Sequence, residues 1–173
     1  ASALTWWWTS DSPMTPPAFE PANPAYAARV RDSFGRQPFM VHIGARITAL
    51  APGVCEITAD WRRELTQQHG FVHGGVLASI ADTAGGYAAF SLMPADATVL
   101  TVEFKLNMLR PGRGETMIAR GRVLKPGRTL SIVQADVFAR DGGREEQVVS
   151  SLQTLMCLAG KSDEASGARR ADR

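Results

Sequence analysis

The chain combines one long apolar stretch with several shorter runs that have the spacing of β-strands. The stretch from Gln67 to Leu92 begins with polar residues and glycines and then becomes apolar on all sides. A helix that is apolar on every face is a buried helix, so this stretch predicts a central helix. Before it, the pattern predicts a short helix over 26–34, ended by Gly35, and strands over 42–50 and 54–60.

Four further strand-like runs follow the central helix, and short Pro-Gly or Gly-Gly turns separate them. The runs cover residues 98–110, 115–125, 129–140 and 145–158. Short turns between strands indicate antiparallel neighbours, so these strands are expected to form a meander. One long helix with about six antiparallel strands is an α+β layer structure.

Composition excludes several classes of function. The 173 residues suit one domain, and 45% hydrophobic with 21% charged residues is typical of a globular protein. A net charge of +2 gives no indication of nucleic-acid binding. The Asp and the glycines within the apolar stretch argue against a membrane span. Cys55 and Cys157 lack metal or disulfide spacing, so we expect buried free thiols, a reducing compartment and a cytoplasmic location.

The two ends of the chain differ from its middle. Residues 1–25 contain three consecutive tryptophans and then several prolines, and Met14 is a candidate for the natural start. We expect this segment to be disordered or to derive from an expression vector. Residues 159–173 are small and charged, which is typical of a disordered tail. The folded domain is therefore expected over 26–158.

Five residues in and around the first half of the central helix carry a family resemblance. His73 precedes Gly74 and Gly75, Gln67 comes before them, and Asp82 lies nine residues after the histidine. With the later turns at 110–112 and 127–130, this pattern resembles the hotdog-fold acyl-CoA thioesterases of the PaaI-like group. The resemblance covers about residues 40–158 and implies a long helix wrapped by an antiparallel sheet.

Asp82 is the first candidate for chemistry, because a carboxylate is costly on an apolar helix. Taken alone, the local sequence leaves a structural hydrogen bond and a catalytic role equally open. The resemblance implies the catalytic acid, acting either as general base or as nucleophile. Gly74 either forms the bend into the helix or presents a backbone N–H to the thioester carbonyl, as the resemblance implies.

The remaining catalytic candidates depend more on the resemblance. Gln67 is expected to donate from its amide to the carbonyl or to orient water, although Gln68 could be confused with it. His73 is expected to hold the loop through hydrogen bonds, since no metal or nucleophile-elbow motif accompanies it. Thr101 matches the Ser or Thr that positions water or substrate, and Thr98 is the alternative.

Coenzyme A carries phosphate groups that require cations and N–H donors. The resemblance places several residues near coenzyme A in relatives, although surface arginines at turns are usually only solvated. These candidates for substrate or coenzyme A binding are Gly75, Arg110, Gly127, Arg128 and Thr129. No metal and no separate cofactor are expected, since coenzyme A is part of the substrate.

We therefore expect an acyl-CoA thioesterase that assembles into a homodimer at minimum, with a dimer of dimers implied by the resemblance. No nucleic-acid or membrane partner is expected. A hotdog-fold hydratase is the first alternative, but Tyr87 stands where its Asp-x4-His arrangement needs a histidine. A non-catalytic acyl-CoA-binding module is the second, and the intact Asp82 with His73-Gly74-Gly75 argues against it.

Overall fold

The computed structural model describes residues 19–161 and residue 163. The chain begins with two helices, α1 (Tyr26–Gly35) and α2 (Pro38–His42), and the strands β1 (Arg46–Ala51) and β2 (Val54–Asp60). A single 3₁₀ turn, Arg63–Leu65, interrupts the loop that leads to the long helix α3 (Gly74–Phe90). The chain continues with β3 (Ala97–Met108), β4 (Thr116–Lys125), β5 (Leu130–Asp141) and β6 (Arg144–Ala159).

The six strands form one antiparallel sheet that wraps around α3. Their order across the sheet is β1-β2-β4-β5-β6-β3. One face of the sheet packs on α3 through small and branched side chains, among them Ile57, Ala119 and Val133, all fully buried. At Gly121 of β4 an added Cβ would collide with the carbonyl of Ala84, so the sheet touches the helix backbone itself. The α+β arrangement expected from the sequence is confirmed.

The pairing of β3 differs from the expected meander. Of the four strands after α3, only β4, β5 and β6 follow one another across the sheet, whereas β3 pairs with β6 and lies at the edge. The connection from β3 to β4 therefore crosses the end of the sheet, where Val72 and Gly112 form an isolated bridge. Strand pairing is a long-range choice, and a Pro-Gly turn shows where the chain bends but not which strand it joins.

A β-bulge in β3 changes which side chains face α3. The register against β6 shifts between Thr101 and Glu103. Before the bulge, Val99 packs against the core and Thr101 contacts α3; after it, Leu106 packs against the core. Odd-numbered residues therefore face the helix in the first part of β3 and even-numbered residues in the second, as bulges allow.

The first strand is shorter than predicted. Residues 38–42 form α2 with Pro38 at its first turn, and β1 begins only at Arg46, not at His42. Proline is well tolerated in the first turn of a helix, where its missing N–H has no helical partner. The short apolar run Pro38–His42 gave no period by which a helix could be distinguished from a strand.

The limits of the domain and one cysteine also differ in detail from expectation. Phe19 packs against the core and Asn23 accepts a hydrogen bond from the Ala25 N–H, so the described chain is already structured before residue 26. The rest of the expected terminal segments falls on residues 1–18, 162 and 164–173, which lie outside the described residues. Cys55 is buried, whereas Cys157 is only half-buried.

Candidate active site

The N-terminus of α3 is held by His73. Its Nδ1 accepts a hydrogen bond of 2.8 Å from the N–H of Gly75, so Nε2 is the protonated nitrogen of the neutral ring. Its own N–H donates to the carbonyl of Leu65 at 2.8 Å. The structural role expected for His73 matches this geometry. Within the described part of the chain, the N–H of Gly74 has no acceptor, so it can donate to a ligand.

Gln67 lies in the tight loop that precedes this helix. Its N–H donates to the carbonyl of Phe71 at 2.9 Å, and its carbonyl accepts from Gly70 at 2.9 Å. The side-chain oxygen accepts a hydrogen bond from the His69 N–H, and within residues 19–161 and 163 the amide nitrogen has no acceptor, so it can donate to a ligand. Gln68 and His69 are exposed and their side chains contact each other, and of these three residues only Gln67 lines the cavity at the helix start.

Gln67 and Gly74 line the same cavity, of about 480 Å³. Its other walls are mainly apolar, with Leu77 on α3 and Met108 at the end of β3. The methyl carbon of Met108 lies 3.0 Å from where a Cβ on Gly74 would stand, so a side chain at residue 74 would displace Met108. The cavity thus combines an unpaired backbone N–H with a side-chain amide donor.

Asp82 lies in a separate groove and is half-buried. The hydroxyl of Thr101 donates to its Oδ1 at 2.7 Å. Burial raises the pKa of Asp82 above its ordinary value of 3.8, and the Thr101 hydrogen bond only partly offsets this shift. Among the described residues no cation contributes to the shift, which suits a carboxylate that must accept a proton.

Thr101, and not Thr98, is the threonine that contacts Asp82. The hydroxyl of Thr98 instead donates to Asp163 Oδ1 at 2.9 Å. The groove beside Asp82 has a volume of about 230 Å³ and runs between α3 and β3. Gly86 lies on its helix side, Val99 lies on its strand side, and Tyr87 stands at its far end.

The two groups of candidate residues are too far apart to act on one carbonyl within a single chain. Eight residues of helix separate Gly74 from Asp82, or about 12 Å at a rise of about 1.5 Å per residue. A reacting water must lie within about 3–3.5 Å of the carbonyl carbon. The structure therefore brings together Gln67 with Gly74, and Asp82 with Thr101, as two half-sites.

The candidates for coenzyme A binding also divide into two places. Arg110 lines the cavity of Gln67 and Gly74, and its guanidinium forms an ion pair of 2.8 Å with Glu146. Gly127 and Arg128 line a different cavity, of about 320 Å³, beside the C-terminal end of α3. The 17 residues of α3 separate these cavities by about 25 Å. Gly75 and Thr129 are exposed, at the N-terminus of α3 and between β4 and β5 respectively.

Sequence reasoning missed the residues that close the groove beyond Asp82. Tyr87 is 4% exposed, and its hydroxyl accepts a hydrogen bond of 2.8 Å from Gln37 and lies 3.1 Å from Ser33 Oγ. Asp163 also lines the groove. Tyr87 was visible as a polar exception on an apolar helix, but Ser33 and Gln37 are about 50 residues away in sequence and gave no local signal.

Two further observations concern membrane-spanning helices and metal binding. In the part of the chain that the structure describes, no helix is both long and apolar enough to cross a membrane. Among the same residues, no group of three or more His, Cys, Asp or Glu side chains is arranged to hold a metal ion.

Comparison with known proteins identifies the family. Residues 69–146 match the family described as the thioesterase superfamily. A crystal structure of a thioesterase family protein from Silicibacter pomeroyi is 51% identical, with a TM-score of 0.77 over 78% of this chain and 99% of that one. The acyl-coenzyme A thioesterase PaaI of Escherichia coli is 31% identical over 97 residues, which are 55% of this chain and 66% of that protein.

A solved structure of Escherichia coli PaaI supports the fold assignment. It superimposes with a TM-score of 0.71 over 79% of this chain and 95% of that one, at 20% identity. At that identity the likeness shows the fold, a long helix wrapped by an antiparallel sheet. With the family match and the 51% identity above, the chain belongs to the thioesterase superfamily and is a hotdog-fold, PaaI-like thioester hydrolase.

Proposed function

We propose that the protein is an acyl-CoA thioesterase, which converts an acyl-CoA and water into a carboxylic acid and coenzyme A. The observation that carries this proposal is the half-buried Asp82 with a raised pKa, oriented by Thr101 in a groove. Its Oδ1 is occupied by the Thr101 hydroxyl, which leaves Oδ2 to accept a proton from water. The proposed reaction needs no metal and no further cofactor.

The proposed steps of hydrolysis follow from which groups can accept a proton and which can donate a hydrogen bond. Asp82 takes a proton from water as the water oxygen bonds to the thioester carbon. The carbonyl oxygen then carries negative charge, which the Gly74 N–H and the Gln67 amide stabilise. The C–S bond breaks as the carbonyl re-forms, and the coenzyme A sulfur takes the proton from Asp82. Direct attack by Asp82 would instead give a mixed anhydride, and opening of that anhydride by water at the Asp82 carbonyl carbon would put ¹⁸O from water into the Asp82 carboxyl in a single turnover.

In the proposed reaction, a second copy of the chain brings the two half-sites together. Within the described residues, β3 pairs only with β6, so its other edge is open. This edge carries the exposed apolar side chains Leu100, Val102 and Phe104. A long, apolar, unpaired edge strand requires a partner, and a second β3 in antiparallel orientation supplies one. We propose a homodimer formed through this edge.

Antiparallel pairing of two β3 strands also joins the half-sites. Thr101 and Met108 lie about 20–24 Å apart along one strand, at about 3.4 Å per residue. A two-fold axis near the middle of β3 places Thr101 of one copy opposite the Met108 end of the other. Met108 borders Gly74 and Thr101 contacts Asp82, so each proposed site takes Gln67 and Gly74 from one chain and Asp82 from the other.

A larger assembly has separate support. On the sheet face that points away from α3, Leu130, Met156 and Leu100 stand opposite one another across β5, β6 and β3. Leu130 and Leu100 are 45% and 56% exposed. Packing of this face against its copy would give the dimer of dimers that the resemblance implies. Because the proposed substrate contains coenzyme A, we place the reaction in the cytoplasm.

Thiol release from a panel of acyl-CoA esters tests the proposed activity. We expect turnover by the native protein and a loss of about 10²–10⁴-fold in Asp82→Asn, since general-base catalysis contributes about that factor. Binding of acyl-CoA without thiol release would make the protein a binding module. Water addition across an unsaturated acyl group without thiol release would make it a hydratase.

Subunit exchange tests the shared site. Asp82→Asn and Gln67→Ala proteins, each inactive alone, are mixed after mild denaturation. A mixed dimer holds both changes in one site and leaves the other intact, so random exchange should restore roughly a quarter of native activity by symmetry. Gln68→Ala is the matched control, because Gln68 is exposed and should leave activity intact. Verified exchange without recovery would place Gln67 and Asp82 in one chain.

A further inference from the structure

The groove beside Asp82 continues along α3 for about one helical turn. Gly86 lies four residues after Asp82, so both residues occupy the same face of the helix. A Cβ built on Gly86 would have no atom within 4 Å, which means that open space begins directly at the helix backbone. The neighbouring Gly85 differs, because a Cβ there would collide with the side chain of Gln153. Only Gly86 of this pair therefore contributes free volume to the groove.

The far end of the groove is a fixed wall. The Tyr87 ring makes edge contacts with Phe34 and Phe90, at centroid distances of 5.9 Å and 6.1 Å. Its hydroxyl is bound to Ser33 of α1 and to Gln37, the residue before α2. A buried ring that is packed on two sides and hydrogen-bonded at its tip does not move aside easily. The space between Asp82 and Tyr87 is therefore limited to about one turn of helix.

We propose that Gly86 sets the size of the acyl group and that the Tyr87 wall limits its length. This inference rests on the proposed function, because it assumes that the thioester carbonyl lies at Asp82 and the acyl group extends along the groove. A cavity of about 150 Å³ accommodates benzene. The groove of about 230 Å³ therefore has room for a compact acyl group, such as one ring with a short linker, and not for a long straight chain.

The test is a change in acyl preference, measured on the purified full-length chain. Gly86→Ala and Gly86→Leu are assayed for kcat/KM with acetyl-, hexanoyl-, phenylacetyl- and dodecanoyl-CoA. One methylene of misfit in an apolar pocket changes kcat/KM by roughly 10–200-fold. We therefore expect the ratio of phenylacetyl- to acetyl-CoA activity to fall by at least about 10-fold in Gly86→Leu, with a smaller fall in Gly86→Ala.

A matched control separates groove filling from a general effect of removing a helical glycine. Gly35, at the end of α1, also has no atom within 4 Å of an added Cβ and lies outside the groove. Gly35→Ala should keep the native ratio. Gln37→Ala, which removes part of the wall, should raise the relative activity toward dodecanoyl-CoA.

The outcomes distinguish this inference from the proposed function. Equal losses for all four substrates in both Gly86 variants would overturn the size-setting role while leaving the thioesterase in place. Dissociation of Gly86→Ala in light scattering would assign residue 86 to a contact between subunits and would also overturn it. Absence of thiol release by the native protein from every substrate would instead refute the proposed function. If Gly86→Leu does not fold, the ratio of phenylacetyl- to acetyl-CoA activity in Gly86→Ala decides whether residue 86 sets the size of the acyl group.

Discussion

Two adjacent glycines on α3 should respond in opposite ways to the same substitution. Gly85→Ala and Gly86→Ala each gain about 1 kcal/mol from the higher helix propensity of alanine. At residue 86 nothing opposes this gain, because the added methyl group enters open space. We therefore expect Gly86→Ala to unfold a few degrees above the native protein.

At residue 85 the added methyl group meets the amide of Gln153, which is 1% exposed. That amide donates to the carbonyl of Ala81 at 3.0 Å and to Ser151 Oγ at 3.2 Å. Displacing a buried polar group from its partners costs about 1–3 kcal/mol, and crowding a packed core costs about 1–3 kcal/mol more. After the helix gain of about 1 kcal/mol, Gly85→Ala should lose about 3 kcal/mol.

The assay is thermal or urea unfolding of the two variants and the native protein at one protein concentration, because the proposed dimer would make the midpoint depend on concentration. A loss of 3 kcal/mol corresponds to roughly 10 °C in a domain of this size. The double variant Gly85→Ala with Gln153→Ala should recover part of the loss, because the clash is removed. Equal unfolding midpoints for the two single variants, or no coupling to Gln153, would refute the reasoning.

Four further predictions concern charge and assembly. Burial raises the pKa of Asp82, so the native protein loses stability as pH rises through that pKa and the carboxyl ionises. Asp82→Asn should therefore melt at a higher temperature than the native protein at pH 7. The difference should disappear below about pH 4, where the native carboxyl is protonated. For the same reason, kcat/KM should fall on the acid side as pH drops through the raised pKa of Asp82, and a pH profile without this acid limb would contradict its role as the base. Phe104→Lys places a charge on the apolar edge of β3 and should give an inactive monomer in light scattering, whereas an active monomer would exclude the shared site. Arg110→Ala and Arg128→Ala should raise KM for acyl-CoA more than they lower kcat, because cations remote from the reacting carbonyl bind substrate and transition state equally. An unchanged KM in both variants would mean that other residues bind the phosphates of coenzyme A.

Local pattern was sufficient for most of the fold and for one candidate residue in each of the two half-sites. The central helix could be read from its continuous apolar character, and the glycines at its start indicated an exposed backbone N–H. Asp82 was conspicuous because a carboxylate on such a helix is costly. These features each depend on residues within one or two turns of each other, which is why a sequence reveals them.

What the sequence could not show depends on contacts between distant segments. Thr98 and Thr101 were both open candidates, and only the bulge in β3 decides that Thr101 contacts Asp82. Pairing of β3 with β6 joins residues about 50 positions apart, and no local turn predicts it. The wall of Tyr87 with Ser33 and Gln37 depends on how α1 packs on α3, which leaves no periodic signal.

The bulge in β3 has a consequence for how related sequences can diverge. It divides the strand into a part that supports Asp82 through Thr101 and a part that supports Gly74 through Met108. Removing the extra residue would restore a regular alternation, but it would turn one of these two parts away from the helix. A relative that lacks one residue near Val102 in an alignment with this chain should therefore form one half of the proposed site from different residues.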